Sequence, residues 1–346
     1  MKALVLKANA QLEYIDVPFP VKLSETACLI RVAACGVCGS DIQRAFEHGA
    51  YHYPLIMGHE LSGVIEETPP GSRYTPGQRV VVFPLIPCRK CRACDTGDYA
   101  QCSNYNYLGS RCDGGFAEYV YAEEEYLFPV PEHVDTIHAA MTEPCAVALH
   151  GVRKLKIEGG EKAAVYGGGP IGLMVAQWLR LRGCELIIVF DIEKEKLMIA
   201  EELGFYAINS STIDPLEVVL ELTAGEGADK VVESCGLPLT YNQALKSAGR
   251  FGEVVMLGNL KGELAIMPED FSNILRKEIK LYGSWNSKIT PRGKDDWSTV
   301  LMYMDREIRV HQLISHTPRL SEGPGIFQRI FKKSEFFNKV IFKILT

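Results

Sequence analysis

Val165-Tyr166-Gly167-Gly168-Gly169-Pro170-Ile171-Gly172, with an acid following at Asp191, is the stretch whose reading decides the fold. Lys162 to Tyr166 reads as a short buried strand. Gly167-x-Gly169-x-x-Gly172 then turns the chain into a helix, predicted from Ile171, Met174, Val175, Trp178 and Leu179 at helical spacing and ended by Gly183. Glu185 to Asp191 reads as a second strand with the acid at its carboxyl end. Such glycines let a backbone approach a pyrophosphate, and the helix N-terminus draws its charge. Asp191 stands where it can accept both hydroxyls of a ribose. A plain tight turn in an α/β domain would show the glycines alone; strand, helix, second strand and acid together point to a dinucleotide. Lys196, five residues after Asp191, either touches the adenosine ribose or is a solvated helix position.

Outward from this stretch the rhythm of strand and helix continues. Strands are predicted at 162–166, 185–190, 206–208, 229–233, 252–257 and 279–282, which is what a doubly wound parallel sheet needs. Before it, residues 1 to about 135 read as short strands punctuated by Gly and Pro: Met1–Lys7, Gln11–Val17, Cys28–Val32, Glu60–Glu66, Arg79–Phe83, Phe116–Ala122 and Tyr126–Val130. That spacing predicts a small β-barrel or sandwich. One helix is expected after Ser40 and a longer one over Thr136–Leu155. After Trp285 the alternation is lost; helices near Asp296–Arg306 and Gly325–Lys332 and a strand at Lys339–Ile344 are expected to return to the first domain. The expected divisions are 1–148, 149–286 and 287–346. The stretch Phe331-Lys-Lys-Ser-Glu-Phe-Phe337 has no explanation at this level.

Composition narrows the function. The 346 residues are 47% hydrophobic and 23% charged, ordinary for a globular protein of two domains. A net charge of −6 supplies no basic field for nucleic acid. No apolar run approaches the ~20 residues that a membrane span requires. Five of the eleven cysteines fall in metal-type spacings and no export signal is read at the N-terminus, so a reducing cytoplasm is expected.

Two sets of residues have the chemistry of metal ligands. Cys88-x-x-Cys91-x-x-Cys94-x₇-Cys102 places four thiols in a turn-rich loop, where they can close a tetrahedron around zinc. Every position is then protein, so such a site is structural; reduced bystander thiols and an iron–sulfur cluster are the alternatives. Arg89, Lys90 and Arg92 would partly offset the thiolate charge. The second set is scattered: Cys38, His59, Glu60 and Glu143. Singly, each has an ordinary reading as a buried thiol, a satisfied histidine or a helix N-terminal acid. Together they make the mixed set of a catalytic zinc that keeps a position open.

Cys-Gly-x-Cys38-Gly-Ser40-Asp41, Gly58-His59-Glu60, the four-cysteine loop, Asp113-Gly-Gly-Phe-Ala-Glu-Tyr119, Glu143-Pro144 and the Gly167 loop, in this order, resemble the zinc-dependent medium-chain dehydrogenases over essentially the whole chain. Glu143-Pro144 resembles the polyol dehydrogenase branch, where a glutamate stands in place of a cysteine. More narrowly, Tyr51-His-Tyr-Pro54, Gly109-Ser-Arg111-x-Asp113-Gly-Gly115 and Gly283-Ser-Trp285 are similar to the galactitol-1-phosphate 5-dehydrogenases. The resemblance implies a GroES-like β-barrel catalytic domain, a Rossmann domain, one catalytic and one structural zinc, NAD, and a homodimer or homotetramer. One departure is Gln43, where many polyol dehydrogenases carry a histidine that relays a proton to solvent.

The expected activity is therefore oxidation of a secondary hydroxyl of a sugar alcohol or its phosphate. Zinc would sit on Cys38, His59 and either Glu60 or, through water, Glu143; Ser40 would begin the proton exit. NAD would lie on Gly167, Gly169, Pro170, Ile171, Gly172 and Asp191, whose charge repels a 2′-phosphate. Arg44, Arg111, Lys288 and Arg292 are candidate partners for a substrate phosphate. Alternatives are a dehydrogenase of free polyols, simple alcohols or threonine, and a non-catalytic zinc- and nucleotide-binding protein.

Overall fold

The computed structural model describes residues 1–22, 24–290 and 295–345. The chain divides into two compact units, Met1–Glu143 with Lys288–Thr346, and Pro144–Ser287. These divisions fall at 143/144 and 287/288, against sequence-based divisions at 148/149 and 286/287.

In the unit Pro144–Ser287, six strands form one parallel sheet in the order Tyr206–Asn209, Leu186–Asp191, Lys162–Tyr166, Ala228–Glu233, Ala248–Met256 and Lys280–Gly283. Ala163, Ala164 and Val165 are fully buried, as a central strand covered on both faces requires. Chain order runs outward from Lys162–Tyr166 in both directions, which makes the carboxyl ends of that strand and of Ala228–Glu233 the switch point of the sheet. Gly167 adopts φ +109, and the helix Pro170–Leu181 starts with Gly169 as N-cap and proline in its first turn. A Cβ on Gly172 would come 1.8 Å from Gly167 O, so only glycine lets the helix pack this close to the strand end. All six strands expected from the sequence are present.

In the other unit the spine is the ten-residue strand Ala27–Gly36. Its first half pairs with Tyr119–Glu123 and its last three residues with Lys339–Lys343, while Glu60–Glu67 runs along its other side. Register shifts at Leu29/Ile30 and Val32/Ala34 bend it, which is how a sheet of short strands is curled into a barrel. Arg79–Val82, Leu127–Pro129 and Ile314–His316 extend this sheet, and Gln11–Asp16, Lys2–Ala8 and Leu55–Ile56 form a second one. Leu4, Leu6, Ile30, Val32, Phe116, Phe327 and Phe342 fill the core. Phe116 meets Phe342 and Phe327 edge-on at 5.3 and 5.9 Å, so the C-terminal helix Gly323–Lys332 and the last strand are built into the barrel.

That packing accounts for the Phe331–Phe337 stretch. Phe331 stacks on Phe46 at 4.6 Å, Phe337 packs beside His316, and Arg329 pairs with Glu335 at 2.7 Å. Two helix expectations need correction. Thr136–Leu155 is not one helix but two, Thr136–Ala139 and Thr142–Val152. Pro144 has no N–H to give the carbonyl of Ala140, and Thr142 Oγ1 takes the Ala139 carbonyl at 2.7 Å, so the ladder is interrupted there. The helix begun at Asp296 ends at Tyr303 rather than near Arg306, since Met304 turns extended and Asp305 then adopts φ +60. Among the described residues no helix is long and apolar enough to cross a membrane.

Candidate active site

Cys38 leaves the strand Ala27–Gly36 in an extended conformation and caps the helix Gly39–Phe46. The buried carboxylate of Asp41 accepts the Cys38 N–H at 3.0 Å, fixing this turn. Glu60 begins the paired strand Glu60–Glu67 and His59 immediately precedes it, which brings both beside Cys38. Gly36 must be glycine here, because a Cβ would lie 2.1 Å from Glu60 Oε2. One ligand atom each from Cys38, His59 and Glu60 lies within 4.8 Å of the others. Glu143 is not within that set.

The surrounding groups set the electrostatics. His59 Nδ1 faces Asp41 Oδ1 at 3.6 Å and makes no well-formed hydrogen bond, which leaves Nε2 for a metal. Burial works to lower the His59 pKa, yet Asp41 and Cys38 raise it well above its ordinary value. The same negative field attracts a divalent cation, so the donor set fits zinc. Lys339, first residue of the last strand, contacts the Glu60 carboxylate and donates to Val37 O at 3.0 Å, next to Cys38. Glu143, in the first turn of Thr142–Val152, accepts the Tyr107 hydroxyl at 3.1 Å. Burial pushes its carboxyl up to about 7, Glu60 adding to the shift and His59 opposing it. Tyr107 also stands edge-on to His59 at 5.5 Å.

The four-cysteine loop forms a cluster of its own. Sγ atoms of Cys88 and Cys94 are 4.0 Å apart, Cys91 and Cys94 3.5 Å, and Cys91 and Cys102 3.8 Å. Cys102 Sγ accepts the Cys88 N–H, and backbone donors of Ser103 and Cys94 pull the Cys91 thiol down to about 6. Amides aimed at sulfur suit thiolates, and the set fits a closed zinc site. The basic residues of the loop do not all serve it. Arg89 turns away to pair with Glu125 at 2.5 Å and to donate to the hydroxyls of Tyr99 and Tyr126.

At the dinucleotide turn, Asp191 is held in place. Its Oδ2 accepts Gly168 N–H at 2.7 Å, and its Oδ1 accepts Ile192 and Glu193 N–H at 2.7 and 2.9 Å. Lys196 pairs with Glu193 at 3.0 Å and stands 4.0 Å from Asp191.

The candidate phosphate partners divide. Arg44 is committed to Asp41 at 3.1 Å, so it braces the carboxylate behind His59. Lys288 is paired with Asp98 of the cysteine loop at 2.6 Å. Both are therefore ion-paired bases, the ordinary alternative to a phosphate contact. While the neighbouring Asp113 carboxylate takes Ile56 N–H, Arg111 donates to Tyr105 O at 2.7 Å between the rings of Tyr105 and Tyr51. It also lines a mostly apolar cavity of about 720 Å³, whose walls include none of the metal-binding set. Arg292 lies outside the described residues. Sequence reasoning missed Asp41, Tyr107 and Lys339 as parts of the site. Asp41 sits inside the quoted Cys38 motif; the other two carry no local signal.

Comparison with known proteins agrees with this geometry. Residues 24–132 match the alcohol dehydrogenase GroES-like domain and residues 170–306 the zinc-binding dehydrogenase domain. Galactitol 1-phosphate 5-dehydrogenase of Escherichia coli K12 is 31% identical over 319 residues, 91% of this chain and 92% of that protein. A crystal structure of galactitol-1-phosphate dehydrogenase from E. coli superposes with a TM-score of 0.93 at 30% identity, covering 99% of this chain and 100% of that one. Sorbitol dehydrogenase of Halalkalibacterium halodurans is 36% identical over 309 residues, 87% of each. A zinc-binding dehydrogenase from Sinorhizobium meliloti, bound to NADP, gives a TM-score of 0.89 at 30% identity over 99% of this chain and 98% of that one. With both domains matched and relatives aligned over nearly their whole length, the chain belongs to the medium-chain, zinc-binding alcohol and polyol dehydrogenases, a family of oxidoreductases.

Proposed function

We propose that this protein oxidises a secondary hydroxyl of a sugar alcohol, or of a sugar-alcohol phosphate, to a ketone with NAD. The observation that carries the reading is the gathering of one thiol, one imidazole and one carboxylate within 4.8 Å, with a second carboxyl, Glu143, close behind. Such a mixed, three-sided set suits a catalytic rather than a closed metal. Zinc bound there supplies Lewis acidity that makes a hydroxyl a stronger acid, and NAD supplies the hydride acceptor.

Cys38, His59 and Glu60 would hold the metal, with Glu143 beside them on the Tyr107 hydroxyl. The charge of Asp41, 3.6 Å from His59 Nδ1, favours the proton on Nδ1 and so leaves Nε2 for the metal. Ser40, half-buried in the first helical turn, takes the first hydrogen bond of the proton exit, which continues by water because Gln43 cannot relay a proton. Asp191 accepts the two adenosine ribose hydroxyls and disfavours a 2′-phosphate, hence NAD over the NADP of the Sinorhizobium relative.

For the substrate, similarity to the E. coli enzyme favours a galactitol-1-phosphate-like polyol phosphate. A free polyol is the second reading, because Arg44 and Lys288 are committed elsewhere and Arg111 alone of the described candidates pairs with no carboxylate. The test is reduction of NAD and NADP with galactitol 1-phosphate, sorbitol, butanediol, ethanol and threonine. The expected result is the highest kcat/KM with the polyol phosphate and NAD. Equal rates with sorbitol would leave the free-polyol reading. No turnover by protein that holds zinc and nucleotide would mean a binding protein.

A further inference from the structure

Glu233 ends the strand Ala228–Glu233 at the switch point of the parallel sheet. It is fully buried, and among the described residues it forms no salt bridge. Its Oε1 accepts three hydrogen bonds, from Cys235 N–H and Gly236 N–H at 2.8 Å each and from Thr240 Oγ1 at 2.7 Å. Its Oε2 is buried without a well-formed hydrogen bond, against Gly258, where a Cβ would come within 2.6 Å of it. Burial raises the carboxyl's pKa and the hydrogen-bond donors oppose that shift.

What Glu233 holds is the turn 234–236, and this turn lies on the glycine loop. Ser234 Oγ donates to Tyr166 O at 2.8 Å. A Cβ on Gly167 would come 2.7 Å from Ser234 Oγ and 2.9 Å from Cys235 Sγ, and one on Gly172 would come 2.9 Å from Ser234 Oγ. The charge of Asp191 is felt at Cys235. The neighbouring turn is keyed to the same place. Leu257 and Gly258 N–H donate to Glu233 O at 2.9 and 3.0 Å, and Tyr241 donates to Gly258 O at 2.6 Å. Gly236, at φ +74, packs so tightly that a Cβ would lie 2.2 Å from Asn259 O. Of these two turns, at the carboxyl ends of adjacent parallel strands where an open parallel sheet holds its ligand, 234–236 is held by the Glu233 carboxylate and 257–258 by the Glu233 main-chain carbonyl.

We infer that Glu233 is a positioning residue of the dinucleotide site, its carboxylate shaping the backbone of 234–236 beside the glycine loop without touching the reacting atoms. The inference rests on the dinucleotide reading above. Because the role is that of an acceptor of fixed shape, a neutral amide should serve in it, whereas a truncated side chain should not.

The experiment is titration of the zinc-loaded protein with NADH, followed by fluorescence, for wild type, Glu233→Gln, Glu233→Ala and Thr240→Val, with KM and kcat for NAD alongside. Glu233→Gln should bind within about threefold of wild type, while Glu233→Ala should weaken NADH and raise KM by about tenfold or more. Thr240→Val, which removes one of three donors from a partly exposed position, should lie between and carries the test if Glu233→Ala does not fold. The d–d absorption of the cobalt-substituted catalytic site should be the same in all four. A purely structural acid would lower thermal stability and leave NADH affinity unchanged; folded Glu233→Ala or Thr240→Val with wild-type affinity overturns the inference, as does Gln harming binding as much as Ala. Wild type that fails to bind NADH would instead overturn the dinucleotide reading.

Discussion

Lys339 and Glu60 form a buried ion pair beneath the candidate metal site, although 279 residues separate them in the chain. Burial would lower the Lys339 pKa, but Glu60, Cys38 and Glu143 together hold it above its ordinary value. In the zinc-free protein, removing the lysine would leave a carboxylate buried and uncompensated, the costly way to break such a pair. Lys339→Met should lose about 3–5 kcal/mol in chemical denaturation and should also bind the labile zinc differently from wild type. Stability within ~1 kcal/mol of wild type would mean that water reaches Glu60 and neutralises the argument.

The two metal sets should differ in lability. The four-thiol cluster is closed, while the Cys38 set has three ligands and an open side. Mild chelation should abolish activity with the fold intact, and elemental analysis should then find one zinc per chain. Loss of both metals together with unfolding would contradict separate roles.

Asp191 is pre-positioned by three backbone amides, so its replacement should act on the cofactor more than on the fold. Asp191→Ala should cost NAD binding ~1.5–3 kcal/mol, the scale of hydrogen bonds to a charged group, and improve the use of NADP relative to NAD. A kcat/KM ratio for the two cofactors that stays at its wild-type value would place the ribose elsewhere.

The histidine at 138 offers a pH test. Its Nδ1 lies 2.9 Å from Asp305 Oδ2, with His311 Nδ1 3.7 Å from the other oxygen and the charge of Asp135 also acting on it. The hydrogen bond to Asp305 raises the His138 pKa above its ordinary 6.5, and partial burial opposes this. A raised folded value means stabilisation that is complete below the unfolded value and is lost as pH rises through the folded one. The melting-temperature gap between wild type and His138→Gln should therefore be widest near pH ~5.5 and shrink towards pH ~9. A gap that widens with pH would reverse the sign and refute the pairing.

Lys280–Gly283 is the outer strand of the parallel sheet, with Leu281 exposed on it and Phe271 and Leu275 exposed on the helix Pro268–Arg276. An unpaired edge with apolar groups about it is expected to be covered by a second copy across a two-fold axis. Light scattering at micromolar concentration should show a dimer or tetramer, and a clean monomer would end this expectation.

The features legible in the sequence are those whose parts lie close together in the chain. Gly167, Gly169, Gly172 and Asp191 belong to one strand–turn–helix–strand unit, and Cys88 to Cys102 fit in one loop, so local spacing already carries their chemistry. Short apolar runs between helical stretches likewise marked the six parallel strands, most plainly the inner ones such as Lys162–Tyr166, where burial on both faces leaves little choice of residue. Cys38, His59 and Glu60 were legible as ligand types, but only the pairing of Ala27–Gly36 with Glu60–Glu67 brings them within reach of one ion. Tertiary structure alone decided the rest. It drew Lys339 under Glu60, set Tyr107 on Glu143, spent Arg44 on Asp41 and Lys288 on Asp98, and made the Glu233 carboxylate the post for the turn 234–236. Whether a charged or buried polar side chain is free, paired or structural depends on partners tens to hundreds of residues away, and that information exists only once the strands have paired.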